Sequence, residues 1–133
     1  MISACLLVRD DEATLVDCLE SIRPHVDELC ILDTGSIDSS PQIARRYADR
    51  FEVYLNCNSP DTEQIADFAD ARNHVLNMAT GDVHFWADGD DVVRGLENLR
   101  PLADQLGPEA LILVAYEYQH DAAGRPVCIH WRE

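Results

Sequence analysis

The sequence predicts a three-layer α/β/α domain on a mostly parallel sheet, closed at its C-terminal end by an antiparallel hairpin. Three observations predict it. Short apolar runs alternate with stretches of helical periodicity, no repeat, low-complexity run or Gly/Ser linker interrupts them, and 47% of the 133 residues are apolar, enough for one core. Strand–helix alternation requires right-handed crossovers and a sheet covered on both faces. The expected organisation is a single domain over residues 1–133.

The elements follow in order. Ile2–Val8 reads as a buried strand, and Glu12–Ile22 as a helix with Leu15, Val16, Leu19 and Ile22 on one apolar face. Leu29–Leu32 is a second strand, ended by Asp33-Thr34-Gly35-Ser36. A helix opens with Ser40 as N-cap and Pro41 in its first turn and runs to Ala48. Phe51–Leu55 is a third strand, residues 56–62 a loop, and Glu63–Met78 a helix stopped by Thr80-Gly81. Val83–Ala87 is a fourth strand leading into Asp88-Gly89-Asp90-Asp91. A helix over Leu96–Gln105 precedes a strand over Ala110–Tyr118, a turn at Asp121–Gly124 and a last strand over Pro126–Trp131. In open α/β sheets the ligand crevice lies outside the carboxyl ends of the strands. That rule gathers Val8-Arg9-Asp10, Asp33-Thr34-Gly35 and Asp88–Asp91 at one edge.

Charge narrows the partners. The formal net charge is −15, from 25 Asp and Glu against 10 basic residues, every one an Arg. Such a surface argues against nucleic acid or an anionic membrane, and it repels a phosphate ligand unless a cation mediates. The acid excess also serves solubility. The five cysteines (Cys5, Cys18, Cys30, Cys57, Cys128) show no metal-ligand spacing, and Cys5 and Cys30 sit inside apolar runs, as buried thiols in a reducing compartment do. The run Ile2–Val8 lacks a basic leader and passes straight into Arg9-Asp10-Asp11-Glu12, unlike a signal peptide. No stretch approaches the ~20 apolar residues of a membrane span, so a cytoplasmic or cytoplasm-facing location is expected.

Three residue groups carry chemistry. Asp88, Asp90 and Asp91 repel one another unless solvated or held by a cation; a hard divalent ion takes few carboxylates plus phosphate oxygens, and Gly89 permits close backbone approach. The alternative is an acidic turn capping the next helix. A calcium loop is excluded, because no ligand series continues through Val92 and Val93. Asp33 ends a strand, where a carboxylate accepts from a ribose or a base N–H, or simply forms the turn before Thr34-Gly35-Ser36. No Gly-x-Gly-x-x-Gly follows the first strand, against a dinucleotide fold. Arg72 is either a base or phosphate contact or the partner of Asp67 or Asp70. His84 reads as a structural residue, and Trp86, Tyr116, Tyr118 and Trp131 as core or rim aromatics. No nucleophile motif is present.

Together these segments resemble the family 2 glycosyltransferases of Rossmann-like GT-A fold, in the family's order along nearly the whole chain. Cys5-Leu-Leu-Val-Arg-Asp-Asp-Glu12 resembles the opening strand and its acidic follow-on. Cys18-Leu-Glu-Ser-Ile22 and Val26-Asp-Glu-Leu-Cys-Ile-Leu-Asp-Thr-Gly-Ser36, with Asp38, resemble the segment carrying the nucleotide-reading Asp. Asp67-Phe-Ala-Asp-Ala-Arg-Asn73 resembles the helix whose Arg reaches the nucleotide. Ala79-Thr-Gly-Asp82 and Trp86-Ala-Asp-Gly-Asp-Asp91 resemble the strand into the Asp-x-Asp motif.

The resemblance implies a metal-dependent, inverting transfer of sugar from a nucleotide-diphosphate donor, a UDP-sugar favoured, to a glycan, lipid or protein acceptor. It implies that Asp33 accepts from the base, Arg72 contacts the nucleotide, and Val8 and Arg9 line the base pocket. Asp88 would hold the ribose and, with Asp90 across Gly89, the Mn²⁺ or Mg²⁺ that bridges the diphosphate. The family's carboxylate base and acceptor region follow the sheet hairpin, past Glu133. The chain is therefore expected to be a donor half without an assigned base, Asp91 and Glu133 being the nearest candidates. A non-catalytic nucleotide-sugar or metal-binding module is the alternative. His84 stands where the family carries an apolar residue.

Overall fold

The computed structural model describes residues 1–105 and 122, and the backbones of strands 114–120 and 126–132. The chain forms two compact units, Met1–Arg100 and Pro101–Glu133. The first unit carries β1 (Ile2–Val8), α1 (Leu15–Ile22), β2 (Glu28–Asp33), α2 (Ser40–Tyr47), β3 (Arg50–Val53), α3 (Phe68–Met78) and β4 (Val83–Asp88). A 3₁₀ turn at Leu96–Asn98 leads into α4 (Leu99–Gln105).

All four strands of the first unit are parallel, in the order β3-β2-β1-β4. The chain steps outward from β1 to β3 and then returns past β1 to β4. The order therefore reverses at β1, and a crevice is expected at the carboxyl ends there. β1 is buried along its whole length because both its faces are covered. Ala4, Leu6 and Val8 pack with Leu15, Leu19 and Ile22 of α1 and Ala44 of α2. Cys5 and Leu7, with Cys30 and Leu32 of β2, pack with Ala71, Val75 and Met78 of α3. Each fully buried Leu or Ile contributes roughly 1.5–3 kcal/mol, so these two layers hold the sheet.

At the amino end of the sheet one buried carboxylate ties three segments. Glu28 accepts from Ser3 Oγ (2.6 Å), Thr80 N (2.8 Å), Thr80 Oγ1 (3.0 Å) and Arg50 Nε (2.8 Å). Burial pushes its pKa up, but the four bonds outweigh burial and hold it at about 2. This knot lies away from the carboxyl edge and is structural.

Several boundaries differ from the sequence reading. The first helix begins at Leu15, not Glu12, because Asp11 O accepts from Thr14 N and Leu15 N and forms a turn first. Ser39 is the N-cap of α2; Ser40 lies inside the helix, buried, its hydroxyl accepting from Asp11 N at 2.8 Å. The third strand is Arg50–Val53, shifted toward the amino side of Phe51–Leu55. The third helix starts at Phe68 rather than Glu63: Glu63 has φ +58°, and Asp67 caps the helix by accepting from Asp70 N at 2.9 Å. Phe68, the first residue of the helix, is 59% exposed.

In the second unit β5 (Val114–His120) and β6 (Pro126–Arg132) pair antiparallel, as expected, from Val114–Arg132 to His120–Pro126. The expected strand start at residues 110–113, most of the turn Asp121–Gly124, and Glu133 lie outside the described residues.

Candidate functional site

The register sets Val8 beside Asp33 and Leu7 beside Asp88, so the ends of β1, β2 and β4 meet. Two loops close over that edge. Loop 9–12 and turn 34–40 bind each other through backbone donors and side-chain acceptors: Asp10 N to Ser36 Oγ (3.0 Å), Ile37 N to Asp10 Oδ1 (2.8 Å), Glu12 N to Asp38 Oδ2 (3.0 Å) and Ser39 N to Glu12 Oε2 (2.9 Å). The polar run that follows β1 is therefore a brace, and it fixes the turn after β2.

Asp33 organises that turn with one oxygen only. Its Oδ1 accepts from Gly35 N (2.9 Å) and Ser36 N (3.0 Å), while its Oδ2 is buried with no partner among the described residues. Gly35 is needed here, since φ is +107° and a Cβ would stand 3.1 Å from Leu55 Cδ2. A buried acceptor without a donor costs roughly 1–3 kcal/mol, so an orphan of this kind marks a place where a ligand donor belongs.

Arg9 donates from its guanidinium to two backbone carbonyls, Nη1 to Thr34 O and Nη2 to Glu63 O, each 2.6 Å. Val8 carries its side chain into the core, and its carbonyl accepts from Thr34 N at 3.0 Å. Arg72 pairs with neither Asp67 nor Asp70, since Asp67 caps α3 and Asp70 accepts from Tyr54 OH at 2.9 Å. It reaches across to Asp88, Nη2 to Oδ1 at 3.0 Å, with its guanidinium 4.0 Å above the Trp86 ring. Trp86 is thus the platform that aims Arg72.

The loop after β4 is held by β1, by the Asp91 side chain and by one bond of its own backbone. Gly89 N donates to Leu7 O (3.0 Å), Asp88 N to Asp91 Oδ2 (3.0 Å) and Asp91 N to Asp88 O (3.1 Å). Asp90 is exposed at its tip. Asp11, part of the acidic run after β1 and not among the expected site residues, lies against this loop: a Cβ on Gly89 would stand 2.4 Å from Asp11 Oδ2, which accepts from Arg9 N at 2.9 Å. Burial, with the charges of Asp90, Asp38 and Asp88, raises the Asp11 pKa against the Arg9 N–H bond. Only the packing on Gly89 could have found Asp11, and that contact spans nearly 80 residues. Among the described residues no three His, Cys, Asp or Glu side chains form a metal cage of their own. A separate groove at the sheet's outer edge, lined by Arg50, Glu52, His74 and Met78, holds none of these groups.

A family model described as glycosyl transferase family 2 matches residues 3–131. The chain belongs to glycosyl transferase family 2. A TPR repeat-containing protein of Synechococcus elongatus is 35% identical over 127 residues, 94% of this chain and 29% of that protein. Among solved structures, TarS of S. aureus in complex with UDP superposes with a TM-score of 0.59 at 22% identity, over 77% of this chain and 31% of that one. Glucosyl-3-phosphoglycerate synthase of Mycobacterium tuberculosis in complex with Mn²⁺, UDP and glucosyl-3-phosphoglycerate gives 0.51 at 26% identity, over 67% and 33%. The fold is the GT-A fold of this family. The chain spans about a third or less of each of these relatives. Among the described residues no helix is long and apolar enough to cross a membrane.

Proposed function

We propose that this chain binds the nucleotide diphosphate of a UDP-sugar and acts as the donor half of a metal-assisted, inverting glycosyltransferase. The observation that carries the reading is Asp33: a buried carboxylate oxygen with no donor among the described residues, fixed by its own turn at the carboxyl edge. Uracil presents a ring N–H that meets such an acceptor; cytosine presents a lone pair there and is repelled.

Arg72, steadied on Trp86, supplies positive charge to the nucleotide in a protein of net charge −15. Asp88, bonded to Arg72 at 3.0 Å, would accept from a ribose hydroxyl of that nucleotide. The donor set suits a hard divalent ion shared with a diphosphate, because such ions take one or two carboxylates and complete their shell from phosphate and water. Asp88 and Asp90 would hold Mn²⁺ or Mg²⁺, with Asp91 bracing the loop from Asp88 N and Gly89 leaving room for Asp11. Bound there, the ion acts as a Lewis acid on the departing diphosphate. The protein's own part is to orient the donor and exclude water around the base; the reading assigns no catalytic base, and the acceptor is a glycan, lipid or protein.

Calorimetry of UDP with Mn²⁺ and with chelator tests this. Affinity about tenfold or more higher with Mn²⁺ is expected, because the acidic edge repels an unneutralised diphosphate. Equal affinity in chelator overturns the metal-assisted reading, and no binding in either overturns the donor site.

A further inference from the structure

Arg9 is a cation in a strongly acidic chain, yet among the described residues no carboxylate lies within ion-pair distance of it. Its donors go instead to two neutral carbonyls from segments far apart, Thr34 O and Glu63 O, each at 2.6 Å. A fork to two carbonyls is a geometric device, since neither acceptor requires a full charge.

What the fork joins is specific. Thr34 follows Asp33 in the turn that leaves Oδ2 unpaired, and Asn58 Nδ2 donates to the same Thr34 carbonyl at 2.7 Å. Glu63 belongs to a loop that closes on itself: Ser59 N donates to Gln64 O (2.7 Å), Glu63 N to Ser59 O (2.9 Å), and Ala66 N and Asp67 N to Cys57 O (2.8 and 3.0 Å). Glu63 also sits at φ +58°, a conformation that a non-glycine residue keeps only when its surroundings impose it. The loop is one piece, and Arg9 fastens that piece to the Asp33 turn.

We propose that Arg9 is a positioning residue for base selection, stapling the loop of residues 57–66 across the Asp33–Gly35 turn so that Asp33 Oδ2 stays fixed and dry. The inference rests on the donor-site reading above. A carboxylate oxygen separates a ring N–H from a ring acceptor only while water cannot enter and satisfy either. A loosened loop admits water and flattens that choice.

Arg9→Lys and Arg9→Met test it on the full 133-residue chain, with UDP and CDP affinities measured in Mn²⁺ and backbone hydrogen exchange measured alongside. Lysine keeps the charge but replaces the planar two-nitrogen fork by one ammonium on a flexible stem, which holds the two carbonyls at no fixed spacing. The Kd ratio of CDP to UDP is expected to fall about tenfold in both variants, with faster exchange in residues 57–66 and unchanged exchange in β1. Should Arg9→Met fail to fold, Arg9→Lys carries the test. A purely structural role lowers both affinities together, and an unchanged ratio overturns the inference whatever the exchange shows. A parent chain that binds no UDP sinks the donor reading and this selectivity role with it; a discriminating parent with an equally discriminating Arg9→Lys sinks only the staple.

Discussion

Replacing Asp33 by Asn separates a turn residue from a base acceptor, because the two roles move stability and affinity in different directions. The amide oxygen can take over the bonds from Gly35 N and Ser36 N, now 2.9 and 3.0 Å from Oδ1. The amide nitrogen then occupies the place of Oδ2, which has no partner to lose among the described residues. Folding stability should therefore hold to within about 1 kcal/mol, since an unpaired buried amide nitrogen takes the place of an unpaired buried carboxylate oxygen. UDP affinity should fall by about 1–3 kcal/mol, or roughly 5- to 150-fold, since a donor now faces the ring N–H. Asp33→Ala, which loses both turn bonds as well, should lose about 2 kcal/mol of stability. Urea unfolding and calorimetry with UDP and Mn²⁺ read both quantities. An Asp33→Asn chain that is destabilised yet binds UDP like the parent would refute the reasoning and leave Asp33 as a turn former.

Other residues make narrower predictions. Glu28, with its pKa lowered from 4.5 to about 2, contributes stability that is complete above pH 4.5 and is lost as pH falls toward 2. That contribution is about 3 kcal/mol, so acid titration of Glu28→Gln should show a correspondingly flatter stability curve below pH 4.5, with UDP binding at neutral pH unchanged. Gly89→Ala places a Cβ 2.4 Å from Asp11 Oδ2 and must push that carboxylate off Arg9 N; metal-dependent UDP affinity should drop about tenfold, with at most about 2 kcal/mol of stability lost. Arg72 lies 4.0 Å above Trp86, so in a Trp131→Phe background UDP binding should change Trp86 fluorescence, and Arg72→Ala should abolish that response.

The sequence made the sheet legible because its strands are strongly marked. Ile2–Val8 is a continuous apolar run and forms β1 over those same residues. Ile65 and Phe68 mimic helical spacing ahead of the real start of α3; Ile65 packs from a loop bridged to Asn58, and Phe68 is exposed. The true start was visible in Asp67, three residues before Asp70, a capping pattern that the apolar spacing overrode. Within the candidate site, Asp33 and Asp88–Asp91 follow from the strand ends, and Arg72 from the helix segment Asp67–Asn73. Their partners do not. Arg72 bonds 16 residues ahead, Arg9 bonds 25 and 54 residues ahead, and side-chain bonds to distant backbone leave no local signature. The orphan oxygen of Asp33 is equally invisible in a sequence, since it appears only once the turn has used the other oxygen.

The central claim is that an ion and a uridine nucleotide share the carboxyl edge of β1, β2 and β4. Paramagnetic broadening of backbone amide signals by substoichiometric Mn²⁺, with and without UDP, tests it most directly. With UDP present the broadening should concentrate on Gly89, Asp90, Asp91 and Asp11, while Thr80 and Gly81 at the amino end, held by the Glu28 knot, keep their intensity. Broadening that is the same without UDP, or that centres on the amino end of the sheet, would contradict it.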